Sequence, residues 1–311
     1  MRRLYSGEAI RVFADDLDAP RTLVTFTNWA QKPPRRMIYP SLAQAAGMGF
    51  VGFVALQNHW WQTPEFEPAL RAVESRLAGH DDVTMFGASM GGAGALLASQ
   101  MIAAERVMAV APPVIVDQKY APFEKRFESV AHLTRVIYHL GQTASPDTET
   151  VAVYDPFLQA DVMQLRYLEG HGRAFERWPL PFSGHTPLLA LKRAGLLRDF
   201  NTAFFIENAP KRAKQILRSA RHTLGTVQLR NLQRRTYGRR RYLEPGYVSD
   251  LTALMSEFPN DVEHYEERGL AYERQGQLSL ALQDFVTCVQ LNGRKRYRRH
   301  ITRLETQLAE G

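Results

Sequence analysis

Short apolar runs alternate with amphipathic segments along the first 200 residues of the chain. The apolar runs predict strands over 10–14, 22–26, 49–56, 83–86, 107–111, 151–154 and 175–180. The segments between them predict helices over 39–46, 64–77, 92–98, 123–140, 162–168 and 188–200. This alternation favours an α/β fold with a mostly parallel sheet and helices on both faces. Sites in such sheets lie at the carboxyl ends of the strands.

The most informative motif is the pentapeptide G-A-S-M-G at 87–91, which directly follows the apolar run 83–86. Small residues and good helix formers come after it. A strand, a sharp turn with a serine at its apex, and a helix together form the context of a nucleophile elbow. Small neighbours are required because the strand and the helix approach closely and the serine backbone is strained. The pattern therefore predicts Ser89 as a nucleophile; the plainer interpretation is a glycine-rich turn that holds a serine.

A serine nucleophile needs a histidine base, and in the elbow fold the base comes last in the chain order Ser, Asp/Glu, His. His185 stands in the loop F-S-G-H-T-P, between the last predicted strand and the closing helix. From that position a base can reach back to the serine. His171 is the second candidate, but it precedes the last strand and so belongs to the wrong end of the sheet.

Two carboxylates follow the predicted strand 151–154 and compete for the role of the acid that orients His185. Asp155 stands at the strand end, and Asp161 stands just before the next predicted helix. Each has a plainer role as well, Asp161 as a helix N-cap and Asp155 as a turn former before Pro156. A loop position gives Asp161 the longer reach, so we place it first and keep both.

The oxyanion of an acyl-transfer intermediate needs backbone donors. We expect the amide of Met90, the residue after the nucleophile, to be one of them. The second is expected from the loop after strand 22–26, where Trp29 is the first choice and Asn28 stands beside it.

These motifs together resemble the α/β-hydrolase superfamily: an elbow, an Asp-bearing loop after a later strand, and an S-G-H-T-P loop before the final helix. The resemblance covers residues 1–200. It implies a serine hydrolase that acts on an ester or other acyl substrate through a Ser-His-Asp triad and an acyl-enzyme, carboxylesterase-like, with acyltransferase and thioesterase chemistry left open. It implies no metal and no organic cofactor. The loop T-N-W replaces the family's usual His-Gly pair, and the chain has little sequence for a lid, which suggests an open site.

Three further residues, His59, Trp60 and Trp61, follow the predicted buried strand 49–56 and are expected at the same edge of the sheet. We consider them substrate-binding candidates that would offer an aromatic platform to a sugar or acyl group. The alternative is that both tryptophans pack the loop onto the core.

The charge balance changes after residue 200. Residues 1–200 hold 20 Lys/Arg and 20 Asp/Glu, whereas residues 201–311 hold 19 and 12, so the whole net charge of +7 lies in the second part. We predict a hydrolase domain over 1–200, a basic helical connector over 201–244 and a small all-α module over 245–311. The basic charge has no nucleic-acid recognition motif with it, so nucleic acid is not the expected partner.

The module resembles a tetratricopeptide repeat. Small and aromatic residues stand at the offsets of that unit, namely Tyr265, Gly269, Tyr272, Gly276, Ala281, Phe285 and Cys288. Segments 247–258 and 300–308 are predicted as flanking helices. A single repeat cannot bury its own face, so we expect it to pack on the first domain, to form an oligomer, or to bind a protein partner. The plainer role is a structural cap.

The remaining features limit the possible locations. Cys288 is the only cysteine, so no intramolecular disulfide can form. The first residues lack the apolar core of a signal peptide, and no apolar run is long enough for a membrane helix. A cytoplasmic location is the expectation. The competing hypothesis for function is a non-catalytic interaction protein, in which a retired hydrolase fold carries a partner-binding repeat.

Overall fold

The computed structural model describes residues 1–30, 37–77, 80, 82–140, 147–233 and 238–310. The chain divides into two compact units, Met1–Arg218 and Ser219–Gly311. Within the described residues, no helix has the length and apolar character needed to cross a membrane.

The first unit is built on an eight-stranded sheet. Its strands are β1 Arg2–Ser6, β2 Ile10–Asp15, β3 Arg21–Phe26, β4 Gly49–Ala55, β5 Asp82–Ala88, β6 Arg106–Val110, β7 Glu149–Tyr154 and β8 Glu176–Pro179. Their order in the sheet is β1-β2-β4-β3-β5-β6-β7-β8. The pairs β1/β2 and β2/β4 are antiparallel, and the five pairs from β4/β3 to β7/β8 are parallel. All seven predicted strands are present, and β1 is a strand that the sequence pattern did not predict.

The parallel strands β3 to β7 are buried along almost their whole length, whereas the edge strand β8 is buried only at Trp178. Every residue of β4 and of β6 is buried, as the continuous apolar runs require in a sheet with both faces covered. Parallel pairing brings the carboxyl ends of β3 to β8 to one edge. The segments that follow Phe26, Ala88, Tyr154 and Pro179 are therefore neighbours in space, although they are far apart in sequence.

Between the strands lie α1 Pro40–Ala45, α2 Phe66–Leu77, α3 Met90–Ala98 and α4 Gln159–Gly170. After β8 come α5 Pro187–Arg193, α6 Leu197–Asn201, a π-helical turn at Thr202–Ile206, and α7 Pro210–Thr223, which extends past the last residue of this unit, Arg218. The single closing helix predicted over 188–200 is divided in two. Gly195 stands between α5 and α6 with φ +72°, a left-handed conformation that ends a helix.

The prediction of a long helix over 123–140 is wrong. The structure has only the 3-10 helix Glu128–Leu133 in that segment. The fully buried side chain of Glu124 accepts the backbone N–H of Arg126 at 3.1 Å, a local bond that competes with helical pairing. The apolar side chains of this segment therefore belong to a packed loop.

The second unit is helical. It contains α8 Gly225–Asn231, a 3-10 helix Gly238–Leu243, α9 Pro245–Glu257, α10 Val262–Arg274, α11 Leu278–Asn292 and α12 Lys295–Glu310. One core cluster joins α11 and α12 through Ala281, Phe285, Cys288, Tyr297 and Leu304. Burial raises the pKa of the Cys288 thiol to about 12, so this cysteine stays neutral and acts as a packing residue.

The core of the second unit predicts a sharp contrast between two adjacent residues of α11. Phe285 is fully buried and Val286 is 38% exposed. We expect Phe285→Ala to leave a cavity and to destabilise the unit by about 3–5 kcal/mol. In the full chain, amide hydrogen exchange across α10 to α12 should become much faster. Val286→Ala is the control and should leave exchange nearly unchanged; equal effects of the two substitutions would contradict this description of the core.

Candidate active site

The elbow serine lies at the carboxyl edge of the sheet, between β5 and α3. Its backbone has φ +50° and ψ −128°, a combination that is strained for a residue with a side chain. The Ser89 amide donates a hydrogen bond of 2.8 Å to the carbonyl of Val110 at the end of β6. The strand, the helix and this bond hold the strained conformation in place.

Glycines are required around Ser89 because backbone segments meet there. A Cβ on Gly87 would lie 2.0 Å from the carbonyl oxygen of Gly91, and one on Gly91 would lie 2.2 Å from the carbonyl oxygen of Phe26. Neither neighbour is a flexible side chain that could move away. The G-x-S-x-G spacing is therefore a consequence of the contact of α3 with β5 and β3.

Three side chains from different segments of the chain meet at this edge. Ser89 Oγ lies 2.9 Å from His185 Nε2, and His185 Nδ1 lies 3.0 Å from Asp161 Oδ1 and 3.2 Å from Asp161 Oδ2. The Asp161 side chain is 1% exposed, whereas that of His185 is 24% exposed. A buried acid, a half-buried base and a serine lie in the order that a nucleophilic triad needs.

Asp161 lies inside α4, not in the loop before it. It is the third residue of Gln159–Gly170, and the residue at the N-cap is Leu158. Both sequence interpretations of its position, a loop carboxylate just before the helix and a helix N-cap, are therefore wrong. The first turn of a helix favours a negative charge, which lowers the cost of burying this carboxylate.

Asp155 lies on the same edge but bonds the backbone. Its Oδ1 accepts the amides of Phe157 at 2.9 Å and Phe182 at 3.0 Å, and its Oδ2 accepts the amide of Gly184 at 2.8 Å. Phe182 has a left-handed backbone conformation with φ +59°, so the hydrogen bond from its amide to Asp155 holds a second strained residue in place. Asp155 thereby shapes the loop that carries His185, while Asp161 is the carboxylate that the structure brings to the imidazole.

Two charged residues of the site were not found by sequence reasoning. Arg126 Nη1 donates to Asp161 Oδ1 at 2.7 Å and lies 3.1 Å from His185 Nδ1. Arg126 also binds the fully buried Glu124 through Nε at 2.8 Å and through Nη2 at 2.6 Å. Their segment was predicted as a long amphipathic helix, and nothing in the local sequence indicated that these charges turn inward.

Both of these groups are charged in the site. Burial alone would raise the pKa of Glu124, but hydrogen bonds from Arg126 and Gln164 outweigh it and hold that pKa below its usual value. Burial alone would lower the pKa of Arg126, but its bonds and attraction to Glu124 and Asp161 raise it. The pair is therefore a carboxylate and a guanidinium.

The three predicted oxyanion residues lie near the serine in the fold. Met90 is the first residue of α3, and first-turn amides have no acceptor within their own helix. Asn28 and Trp29 follow the carboxyl end of β3, which pairs with β5. The Asn28 Oδ1 would lie 3.2 Å from a Cβ on Gly91, so this loop packs directly against the elbow.

The aromatic platform predicted at 59–61 is contradicted by burial. His59, Trp60 and Trp61 are 4%, 2% and 0% exposed. Trp61 Nε1 donates to the carbonyl of Met90 at 2.9 Å, and its ring packs against Phe26 and other aromatic residues of the core. These residues support the elbow from beneath, which is the packing alternative.

Other candidates do not join this group. His171 lies at the end of α4, where its ring stacks on Tyr167. Within the described ranges, no group of three or more His, Cys, Asp or Glu side chains is arranged to hold a metal ion.

No family model and no curated protein matches the chain. Among solved structures, the capsule O-acetyltransferase of Neisseria meningitidis serogroup A matches at 14% identity and TM-score 0.46, over 69% of this chain and 93% of that one. A carboxylesterase of Nitrososphaera gargenis matches at 10% and 0.44, over 65% and 97%. A lidless α/β serine hydrolase of Xanthomonas campestris matches at 16% and 0.36, over 69% and 87%. Identities this low with TM-scores below 0.5 carry no argument about family or activity.

The elbow contacts predict a large cost for one methyl group. Gly87→Ala would place its Cβ 2.0 Å from the Gly91 carbonyl oxygen, whereas a Cβ on Gly170 would meet nothing within 4 Å. We expect Gly87→Ala to destabilise the first unit by about 3 kcal/mol. The matched control Gly170→Ala should leave stability within about 1 kcal/mol of the wild type. Chemical unfolding curves of both variants measure this, and a Gly87→Ala curve that overlays the wild type would disprove the close contact.

Proposed function

We propose that the protein is a serine hydrolase that cleaves an ester or other acyl substrate through an acyl-enzyme. The observation that carries this proposal is the line Ser89 Oγ, His185 Nε2, His185 Nδ1, Asp161 Oδ1, with separations of 2.9 Å and 3.0 Å at its two hydrogen bonds. Such an arrangement activates a hydroxyl that is otherwise a weak nucleophile.

The chemistry follows from the positions of these atoms. Ser89 Oγ attacks the acyl carbon while its proton passes to His185 Nε2, and Asp161 holds the Nδ1–H tautomer and stabilises the imidazolium. The same Nε2 proton then goes to the leaving group as the acyl–oxygen bond breaks. Water then attacks the acyl-enzyme and gives a proton to Nε2. The bond between the acyl carbon and Ser89 Oγ breaks as Nε2 returns that proton to Oγ, which releases the acid and restores Ser89 and the neutral His185.

The amides of Met90 and of Trp29, with Asn28 beside it, are the proposed oxyanion donors. They belong to the elbow and to the loop after β3, the two segments that meet at Gly91. Donors fixed by backbone packing need no reorganisation when the negative charge develops.

The strand order, the elbow and the chain order of Ser89, Asp161 and His185 are consistent with an α/β-hydrolase. A carboxylesterase-like activity is the first expectation. With a hydroxyl or thiol acceptor in place of water, the same site would act as an acyltransferase. With a thioester substrate, it would act as a thioesterase. The 24% exposure of the His185 side chain fits a site that a substrate enters from solvent.

For residues 245–311 we propose a tetratricopeptide-like module that binds a protein partner. Two features of the second unit support it: Gly269 of α10 lies against Phe285 of α11, where a Cβ would be 3.2 Å from the ring, and Ala281 is fully buried. Small residues at such points let two helices approach closely. The region 201–244 remains a proposed connector.

Labelling with a fluorophosphonate probe tests the enzyme proposal. We expect the intact protein to be labelled at Ser89, with labelling lost in Ser89→Ala and reduced at least about a thousandfold in His185→Ala. Folding of each variant is checked by circular dichroism. Absence of labelling in a well-folded wild type would reject the hydrolase and leave the scaffold hypothesis.

The two aspartates should respond differently to the same substitution. Asp161→Asn should lower the labelling rate about 10³–10⁴-fold, because it disturbs the tautomer of His185, and it should also destabilise the protein because it removes a buried ion-pair partner of Arg126. Asp155→Asn should mainly destabilise, by about 1–3 kcal/mol, because an amide N–H₂ group would face the Gly184 N–H. Labelling rates and unfolding curves of both variants decide which aspartate orients His185. A large loss of labelling in Asp155→Asn but not in Asp161→Asn would make Asp155 the acid.

A further inference from the structure

The cation beside the triad is a problem for the proposed mechanism. Arg126 Nη1 contacts the same Asp161 oxygen that faces His185, and it lies 3.1 Å from His185 Nδ1. In catalysis the imidazole becomes an imidazolium. A positive charge at this distance opposes that step, because like charges disfavour each other's charged form.

Glu124 offsets most of the unfavourable effect of the Arg126 charge on the imidazolium. Its two carboxylate oxygens bind Nε and Nη2 of Arg126, which is the bidentate geometry that pairs the two charges most closely. The carboxylate is held on its other side by Gln164 Nε2 at 3.0 Å. Gln164 is itself fixed by the backbone of Ile115, through bonds of 3.0 Å and 2.7 Å.

We infer that Glu124 and Arg126 form a charge-balanced pair that positions Asp161 and sets the basicity of His185. Arg126 fixes Asp161 Oδ1, and Glu124 neutralises Arg126 so that the charge of Asp161 remains effective on the imidazole. Both act through the triad and are positioning residues. This inference rests on the proposed function, since it concerns the same site.

The charges around His185 that the described residues supply are few. Asp161 comes from α4, and Arg126 with Glu124 comes from the loop that precedes the 3-10 helix Glu128–Leu133. Asp155, after β7, holds the amide of the neighbouring Gly184 and is left unchanged in every variant below. The elbow contributes the Ser89 hydroxyl, and the ring of Phe127 lies 6.1 Å from the imidazole without a charge. Removing either member of the pair therefore changes the net charge next to His185, in opposite directions.

The test is the pH dependence of fluorophosphonate labelling, which needs a neutral His185 and requires no known substrate. In Glu124→Gln the uncompensated guanidinium disfavours the imidazolium. The acid limb of the rate profile should therefore move to lower pH, by about 0.5–1 unit, and the plateau rate should fall about three- to tenfold. In Arg126→Gln the uncompensated carboxylate favours the imidazolium, so the acid limb should move to higher pH by a similar amount.

The double variant Glu124→Gln/Arg126→Gln restores the charge balance and should return the midpoint to within about 0.3 unit of the wild type. Arg106→Gln is the matched control. It breaks a more exposed Arg–Glu ion pair, with Glu149, at the opposite edge of the sheet and should leave the midpoint unchanged. Melting temperatures show which variants are folded. If Arg126→Gln is not folded, Arg126→Lys, which keeps the positive charge, is measured in its place.

Opposite shifts with recovery in the double variant support the inference. Shifts in the same direction, no shifts, or an Arg126→Lys profile displaced to higher pH would overturn it and reduce the pair to a loop tether. The proposed function fails separately, when the wild type itself is not labelled at Ser89.

Discussion

The close contact between the first turn of α3 and the ends of β3 and β5 is the constraint on which the site depends. Backbone atoms meet there with no room for a side chain on Gly87 or Gly91. The contact forces Ser89 into a strained conformation, and the buried Trp61 indole supports the turn from below through the Met90 carbonyl. Strain of this kind persists only where the surrounding structure determines it. The packing of the sheet compensates for the conformational strain of Ser89.

The second determinant of the site is a set of charged side chains, with both carboxylates buried, that the fold brings together from a loop and from α4. A carboxylate, a guanidinium and a second carboxylate follow one another from Glu124 through Arg126 to Asp161, and the chain ends on the imidazole of His185. Buried charges are costly unless each is paired and hydrogen-bonded, and each of these is. The network makes the electrostatics of the base a property of several elements together.

The fold could be predicted from the sequence better than the network of charged residues could. Apolar runs such as 49–56 and 151–154 carry a strong periodic signal, and the elbow motif with the chain order of its partners pointed to Ser89 and His185. Arg126 could not be found in this way, because its role depends on a loop whose periodicity imitates a helix. The choice between Asp155 and Asp161 depended on which backbone amides lie nearby, and that is a tertiary property. Trp60 and Trp61 follow a strand that leads to the correct edge, yet their size and apolar character place them in the core.

The three amides gathered by Asp155 have a consequence for motion. The loop before His185 is tied to the turn after β7 by one buried carboxylate, and the rings of Phe157 and Phe182 stack across the two segments at 4.3 Å. Lifting this loop from the edge of the sheet would break charge-assisted bonds worth about 1.5–3 kcal/mol each. The backbone that carries His185 is therefore held in place, and the movement left to the imidazole is rotation about its own side-chain bonds.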